Sequence, residues 1–423
     1  MLNGLQKSEK GVQSATPSSA YVHIPFCRRR CYYCDFPISV VGDKATGSTS
    51  GTIAQYVEVL SQEIKTTPAP IRSLQTVFFG GGTPSLLSVE QLGRILDTLN
   101  QHFGISADAE ISMEMDPGTF SMEQLKGYQD AGVNRVSLGV QAFQDELLSV
   151  CGRSHNAIDI FAAIALLRQV EIPDISLDLI SGLPHQTLEQ WQESLEIAVN
   201  LAPTHISSYD LIVEPVTPFG RQYAPGAKPL PTDDTAAKMY ELAQEILTSA
   251  GYEHYEISNY ALPGHQCRHN RVYWQNRPYY GFGMGAASYV QGCRFTRPRT
   301  RREYYAWVQQ LIEAGGVVDC PETPEAEILL ETLMLGLRLA EGLSLSALIQ
   351  QFGEKTLEQI WIALQPHYRQ GWVEVVGHHQ AVIELQNSQR LPTVGRLRLS
   401  DPEGFLFSNT VLADLFSKLS EVS

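Results

Sequence analysis

The stretch YVHIPFCRRRCYYCDF, Tyr21 to Phe36, decides how the rest of the chain is read. Its first residues, Tyr21–Ile24, read as a short strand; Pro25 and Phe26 end it, and a loop carrying Cys27, Cys31 and Cys34 follows. Three soft thiolate donors on one loop suit zinc or an iron–sulfur cluster. Structural zinc takes four protein ligands. The nearby candidates, His23 inside the strand and Asp35 next to Cys34, lack the spacing of a second ligand pair. A three-thiolate site leaves one metal position open, which implies chemistry or an exchangeable ligand rather than a staple.

The strand of that stretch opens a series. Candidate strands are Tyr21–Ile24, Thr76–Phe79, Glu110–Met115, Arg135–Val140, Ile175–Ile180 and His205–Ile212, alternating with candidate helices Ile53–Lys65, Val89–Phe103, Met122–Ala131, Ala157–Gln169, Leu188–Asn200 and Thr235–Ala250. Such βα repetition implies a parallel sheet with helices outside it, either an open doubly wound sheet or a full or partial barrel. Ligands then belong at the carboxyl ends of the strands. There the sequence places the cysteine loop, the run Gly80-Gly81-Gly82-Thr83-Pro84, and the acidic Glu114 and Asp116.

The organisation read from composition is a flexible tail over residues 1–18, the βα core over 19–250, a loop-rich aromatic extension over the rim at 251–300, and a smaller C-terminal α+β domain, helical and winged-helix-like, over 301–423. In the last of these, Glu325–Ala340 and Leu343–Gln351 read as helices, and Trp372–Val376, Ala381–Glu384 and Arg396–Leu399 as strands. The 423 residues carry a net charge of −15, which argues against nucleic acid as the main partner. The start of the chain lacks an apolar signal core, and no apolar run reaches the roughly 18 residues of a membrane span. A soluble cytoplasmic protein is expected, with peripheral membrane contact left open. Seven cysteines, an odd number in a chain too long to need disulfide staples, point to a reducing compartment.

The cysteine loop after a first strand, followed by GGGTP after the second, resembles the radical S-adenosylmethionine (SAM) proteins. More narrowly, YVHIPFCRRRCYYCDF resembles the family of oxygen-independent coproporphyrinogen III oxidases and their relatives. EISMEMDPGTF, NRVSLGVQAFQDELLSVCGRSHN, DLISGLPHQT, SSYDLIVEPVTPF, HNRVYW, GFGMGAASY, LMLGLRLAEG and DPEGFLFSN extend the likeness from about Tyr21 to Leu415. The resemblance implies an α/β fold, a partial (β/α)6 TIM-like barrel of radical SAM type. It implies that Cys27, Cys31 and Cys34 bind three irons of a [4Fe–4S] cluster while the amino and carboxylate groups of SAM chelate the fourth. An electron from the cluster can then break the sulfonium bond and release a 5′-deoxyadenosyl radical.

Carried over position by position, the implied SAM contacts are Tyr21, Gly81, Gly82, Thr83, Glu114, Gln141, Arg153, Asp178, Ile212 and Tyr289. Gly81 and Gly82 would let backbone approach the methionine moiety. Thr83 would supply a hydroxyl, and Pro84 would stiffen the exit. Glu114 and Asp178 sit on otherwise apolar strands, where an unpaired carboxylate is costly, so each calls for a polar ligand or a basic partner such as Arg153. Tyr32 and Tyr33 either shield the cluster or simply pack.

Where the oxidases have a fourth cysteine, this chain has Phe36, a departure that matches the HemW branch, described as heme chaperones. HNRVYW, His269 to Trp274, matches the HNxxYW motif of that branch. The branch implies heme as a further ligand, heme-acceptor proteins and an electron donor as partners, and a monomer or dimer. The alternative is a radical SAM oxidase that decarboxylates coproporphyrinogen III to protoporphyrinogen IX, or a related tetrapyrrole enzyme. A purely structural metal protein would not require GGGTP, Glu114 and Asp178. For heme, the segment holds His254, His265, Cys267 and His269 with Tyr273, Trp274, Tyr279, Tyr280 and Phe282 as flat walls. His269 is the ligand expected, with a hydrogen-bonded packing residue as the competing reading. Cys320-Pro321 is a less specific thiolate source, and Cys151 and Cys293 read as buried packing residues.

Overall fold

The computed structural model describes residues 16–43, 46–69, 72–377, 381–385 and 390–420, so most of the expected tail lies outside the described residues. Six strands alternate two kinds of side chain. They are β1 (Ser19–Ile24), β2 (Leu74–Gly81), β3 (Ile105–Met115), β4 (Arg135–Gln141), β5 (Asp174–Ser181) and β6 (His205–Asp210). One face of each, with Val22, Val77, Met113, Leu138, Leu177 and Ile206, is buried against helices. The other face carries Tyr21 and His23, Ser112 and Glu114, Arg135 and Ser137, Ser176 and Asp178, and His205 and Ser207, which together line a cavity. Strand side chains alternate with period two, so a polar inner face and an apolar outer face follow from every second residue.

The strands pair in parallel in chain order from β1 to β6. Between and after them run α1 (Gly51–Thr66), α2 (Val89–Phe103), α3 (Met122–Asp130), α4 (Ala157–Gln169), α5 (Leu188–Asn200) and α6 (Asp233–Ser249). Four of these begin with a capping box: Ser88 with Gln91, Ser121 with Gln124, Asn156 with Asp159 and Thr187 with Gln190. Each box satisfies amide donors that a helix start leaves unpaired. The result is the partial (β/α)6 arrangement.

Parts of the stretch expected as a loop-rich extension over the rim instead join the edges of the sheet, and another part forms a separate two-stranded antiparallel pair. The strands of the whole stretch are β7 (Glu253–Glu256), β8 (Asn259–Ala261), β9 (Tyr280–Phe282), β10 (Ala287–Val290) and β11 (Cys293–Thr296), with α7 (Arg268–Trp274) between β8 and β9. β8 pairs antiparallel with β6 and with β7 at one edge, while β9 pairs parallel with β1 at the other. The nine-stranded order is β9-β1-β2-β3-β4-β5-β6-β8-β7, and among the described residues its two edges are not paired with each other. Both edge segments are too short and too aromatic for the alternation that marks a strand in sequence. Pairing with a neighbour already in place makes them strands.

α7 lies under the amino ends of the strands. Arg268 and His269 donate their backbone N–H groups to Glu110 at 2.9 Å, and His269 Nδ1 contacts Thr76 Oγ1 at 2.7 Å. Beyond α8 (Arg301–Glu313), a second apolar core gathers Leu333, Ile360, Leu364, Val375, Leu397 and Leu415. A small antiparallel sheet of Leu343–Ser344, Arg396–Leu399 and Val373–Val376 sits in it. Ala381–Glu384, expected as a strand, makes only an isolated bridge from Val382 to Val376. Arg338 ties this core to the barrel through the fully buried Glu256, 2.7 Å away. No helix among the described residues is long and apolar enough to cross a membrane.

Candidate cofactor site at the carboxyl end of the sheet

The cysteine loop is anchored by backbone hydrogen bonds to neighbouring loops. Phe26–Cys27 and Ser39–Val40 form a two-stranded parallel pair, Thr83 donates its N–H to Phe26 O at 2.7 Å, and Tyr32 donates to Cys151 O at 3.0 Å. Glycines make the approach feasible. A Cβ on Gly81, whose φ is +110°, would lie 2.3 Å from the His23 ring, and one on Gly82 would lie 2.7 Å from Phe26 O. The need for glycine here is set by packing against β1 and its exit. His23 lies in the same seam: Tyr21 OH sits 3.0 Å from Nδ1 and Pro37 O sits 3.0 Å from Nε2. With both ring nitrogens engaged, and burial lowering its pKa to about 4, His23 is a neutral strut and not a fourth metal ligand.

All three thiols are free and half-buried. Burial, assisted by the negative field of Asp116, pushes the Cys27 thiol up to about 12, and burial raises Cys34 as well. Thiols this far from solvent hold negative charge only against a metal or another cation. Among the described residues no three His, Cys, Asp or Glu side chains converge on a point that would hold a single ion. A cuboidal cluster meets each thiolate at a different iron and needs no such convergence.

Beside the loop, Arg153 is buried and bridges three groups. Its Nη2 pairs with Asp116 Oδ1 and donates to Gly139 O at 2.9 Å, while Nη1 lies 3.4 Å from Cys31 Sγ. Its Nε is buried without a partner. Thr83 Oγ1 donates to the other oxygen of Asp116 at 3.0 Å. Gln141 stands at a register shift between β4 and β5 with φ of 67°. Arg153 and Thr83 thus both bond Asp116, and the Gln141 amide stands by the same Gly139; the place of Asp116 at the end of β3 is visible in the sequence, but its central role is not.

Inside the strands lies a cavity of about 810 Å³, large among small-molecule sites. Tyr21, Glu114, Asp178 and Ile212 line it, together with Tyr33, Cys34 and Phe36 of the cysteine loop. Glu114 accepts the Gly81 N–H at 2.8 Å, and burial lifts its pKa to about 8. Burial also raises Asp178, against hydroxyl donation from Ser137 at 2.9 and 2.8 Å and from Ser176 at 3.2 Å. The partners of Asp178 are serines, and the expected basic partner Arg153 belongs to Asp116. Ser137 and Ser176 stand on the inner face of their strands at the period-two positions. Tyr32 packs its ring on Gly152 and on Phe219, with ring centres 6.2 Å apart in the latter case.

Tyr289 is set apart from the other expected SAM contacts. β10 returns antiparallel to β9, so Gly285, Ala286 and Ala287 line the cavity while Tyr289 pairs with Tyr279 at the amino end of β9. Its ring lies under Arg294, 4.5 Å from the guanidinium. His269 is also distant from the cysteine loop. It is fully buried, with Nδ1 on Thr76 and Nε2 on Tyr273 OH at 2.8 Å, its ring stacked 5.3 Å from Phe78, and burial lowers its pKa to about 3. The other expected heme contacts do not form one wall. His254 stacks on Tyr260 and pairs with Asp401, His265 pairs with Asp174, and Trp274 lies under Arg338. Cys151 is buried, whereas Cys293 is half-exposed against Cys320.

The Radical SAM superfamily model matches residues 21–198, from β1 through most of α5, and the HemN C-terminal domain model matches residues 324–380. The three-cysteine loop above the acidic cavity thus lies in a radical SAM protein, a class whose members use SAM and a [4Fe–4S] cluster. The chain is 47% identical to the heme chaperone HemW of Synechocystis sp. over 405 residues, 96% of this chain and 98% of that protein. It is 40% identical to HemW of Escherichia coli over 272 residues, 64% of this chain and 69% of that protein. The chain belongs to the HemW family. A mitochondrial radical S-adenosyl methionine domain-containing protein 1 of Bos taurus is 32% identical, covering 97% of this chain and 91% of its own length. The solved structure of the coproporphyrinogen III oxidase HemN of Escherichia coli shares the fold, with a TM-score of 0.76 at 23% identity over 96% of this chain and 91% of that one.

Proposed function

We propose that this chain is a heme chaperone: it binds heme, passes it to acceptor proteins, and carries a [4Fe–4S] cluster and SAM. The reading is carried by its end-to-end kinship with proteins named heme chaperone HemW. In this reading Cys27, Cys31 and Cys34 hold three irons, and the cavity receives SAM. Tyr21, Glu114, Asp178 and Ile212 line the SAM chamber, Gly81 and Gly82 shape its wall, and Thr83, Gln141 and Arg153 set the edge around Asp116. Two carboxyl groups inside a buried chamber suit a ligand with ammonium and sulfonium charges. When bound, the cluster supplies an electron to the sulfonium centre; Arg153 places positive charge against Cys31 meanwhile.

The oxidase reading is weakened by Phe36, an exposed phenyl ring at the cavity wall where the oxidases carry a further cysteine. The test is an anaerobic incubation of cluster-loaded protein with SAM, a reductant and coproporphyrinogen III, read for tetrapyrrole and for 5′-deoxyadenosine, beside a hemin titration. A Soret shift without conversion is expected; accumulation of protoporphyrinogen would make the chain an oxidase.

A further inference from the structure

The cysteines outside the cofactor loop are of two kinds. Cys151 and Cys267 are buried. Cys293 and Cys320, 27 residues apart in the chain, are half-exposed and come together. Cys293 opens β11, whereas Cys320 sits in the irregular linker between α8 and the helix Glu325–Gly336, which leads into the second apolar core.

Each sulfur rests on the other cysteine's segment. Cys293 Sγ donates to Cys320 O at 3.0 Å, and Cys320 Sγ lies 3.7 Å from Arg294 O and 3.5 Å from Pro321 O. A thiol is a weak donor, so these contacts position the sulfurs without committing them. Thr323 donates its N–H to Gly292 O at 2.9 Å and joins the two segments beside the pair. Chains bonded through their backbones run about 4.7–4.9 Å apart, inside the separation of about 4.4–6.8 Å between Cα atoms that a disulfide takes. Electrostatics gives an independent sign of the same closeness: burial, and after it the Cys320 thiol, raises Cys293 above the usual thiol value. Both cysteines line a pocket of about 350 Å³ together with Val317, which is exposed, so a small reagent has a way in.

We propose that Cys293 and Cys320 form a reversible thiol–disulfide site that ties the linker of the second core to the barrel. The co-reactant is a small-molecule disulfide such as glutathione disulfide. The Cys320 thiolate attacks one of its sulfurs, which breaks that S–S bond and releases one thiol. The Cys293 thiolate then attacks Cys320 Sγ in the mixed disulfide, forming the internal bond and releasing the second thiol. The two protons leave on the released thiols; the protein gives up two electrons and the reagent takes them. Cys293, whose ionisation is disfavoured, acts second, where proximity offsets a small thiolate fraction. Closing the bond makes residues 293–320 a covalent loop around α8 and Arg297, which pairs with the buried Glu63, and orders the linker against that fixed frame. The site is independent of the heme reading and of the three cysteines of the cofactor loop.

The test is an anaerobic incubation of the cluster-loaded full chain in glutathione buffers of rising disulfide fraction, quenched with an alkylating reagent and mapped by peptide mass spectrometry. A peptide pair joined at Cys293 and Cys320 is expected, lighter by two hydrogens and separated again by dithiothreitol, with the cluster absorbance unchanged. Hydrogen exchange across residues 314–324 should slow at least about tenfold in the oxidised form. Cys293→Ser should trap glutathione on Cys320, since the resolving thiol is gone, and should lose the slowing. Thiols of the wild type that stay alkylatable even in pure glutathione disulfide, glutathione retained on either one, or a link to Cys27, Cys31 or Cys34 instead overturns the site. A bond that forms without slowing exchange overturns the tie to the linker.

Discussion

The two ends of the barrel both carry motif residues, yet they are built on opposite terms. At the carboxyl end polar groups are withdrawn from water on incomplete terms: half-buried thiols raised by burial, an unpartnered Arg153 Nε, a carboxyl group lifted to about 8. At the amino end, His269 has both ring nitrogens bonded, a stacked neighbour and no exposure, and Glu110 satisfies two amides at the start of α7. Unsatisfied buried polarity costs free energy that only a ligand or strain explains, whereas a fully satisfied network is structure. The cysteine loop is therefore the candidate cofactor end, and His269 anchors the bottom of the sheet, with Asn270 and Tyr273 at the cavity floor.

The largest effect that could break this contrast is at the cysteines. Changing Cys27, Cys31 or Cys34 to Ala should remove the cluster entirely, as read by iron and sulfide content after anaerobic reconstitution; a full cluster in any one variant refutes the ligand set. Next comes Arg153→Met, which leaves Asp116 as an uncompensated buried charge and should cost about 3–5 kcal/mol in denaturant unfolding. A loss near zero would show that Asp116 finds another partner. His269→Ala should destabilise by about 2–4 kcal/mol through two lost buried hydrogen bonds and a cavity, with the cluster retained. Unchanged melting together with lost hemin binding would turn His269 from anchor into ligand.

The smallest effect is protonic. Glu114 has an ordinary value of 4.5 and titrates near 8 in the folded chain, so between those values the folded state holds a proton that the unfolded state has lost. Stability of the ligand-free protein from this group is therefore highest below pH 4.5, falls as pH rises to about 8, and is flat above it. Glu114→Gln should erase that slope. A cation seated against the carboxyl group would expel the proton, so SAM binding at neutral pH should release protons, measured as a dependence of calorimetric heat on the buffer's ionisation enthalpy. Equal heats in all buffers would place SAM away from Glu114.

Much of this was legible before any coordinates. Strands such as Arg135–Val140 and helices such as Val89–Phe103 stand where periodicity puts them, because long buried repeats and capping residues specify them locally. Glu114 and Asp178 stand out in the sequence as acids on strands, but the serines serving Asp178 do not, since a serine in a strand carries no signal until the inner face is known. β9 was illegible for a related reason: Tyr280–Phe282 is a strand only because β1 offers it an edge. The distance between His269 and the cysteine loop, and the exile of Tyr289, depend on which end of the sheet a returning segment reaches. Pattern in sequence does not encode that.

The most direct measurement is EPR of the dithionite-reduced, cluster-loaded protein with and without SAM. If Cys27, Cys31 and Cys34 hold three irons as proposed, the fourth iron has no protein ligand, and SAM in the adjoining cavity is expected to change the cluster signal. An identical spectrum in the presence of saturating SAM would contradict the account.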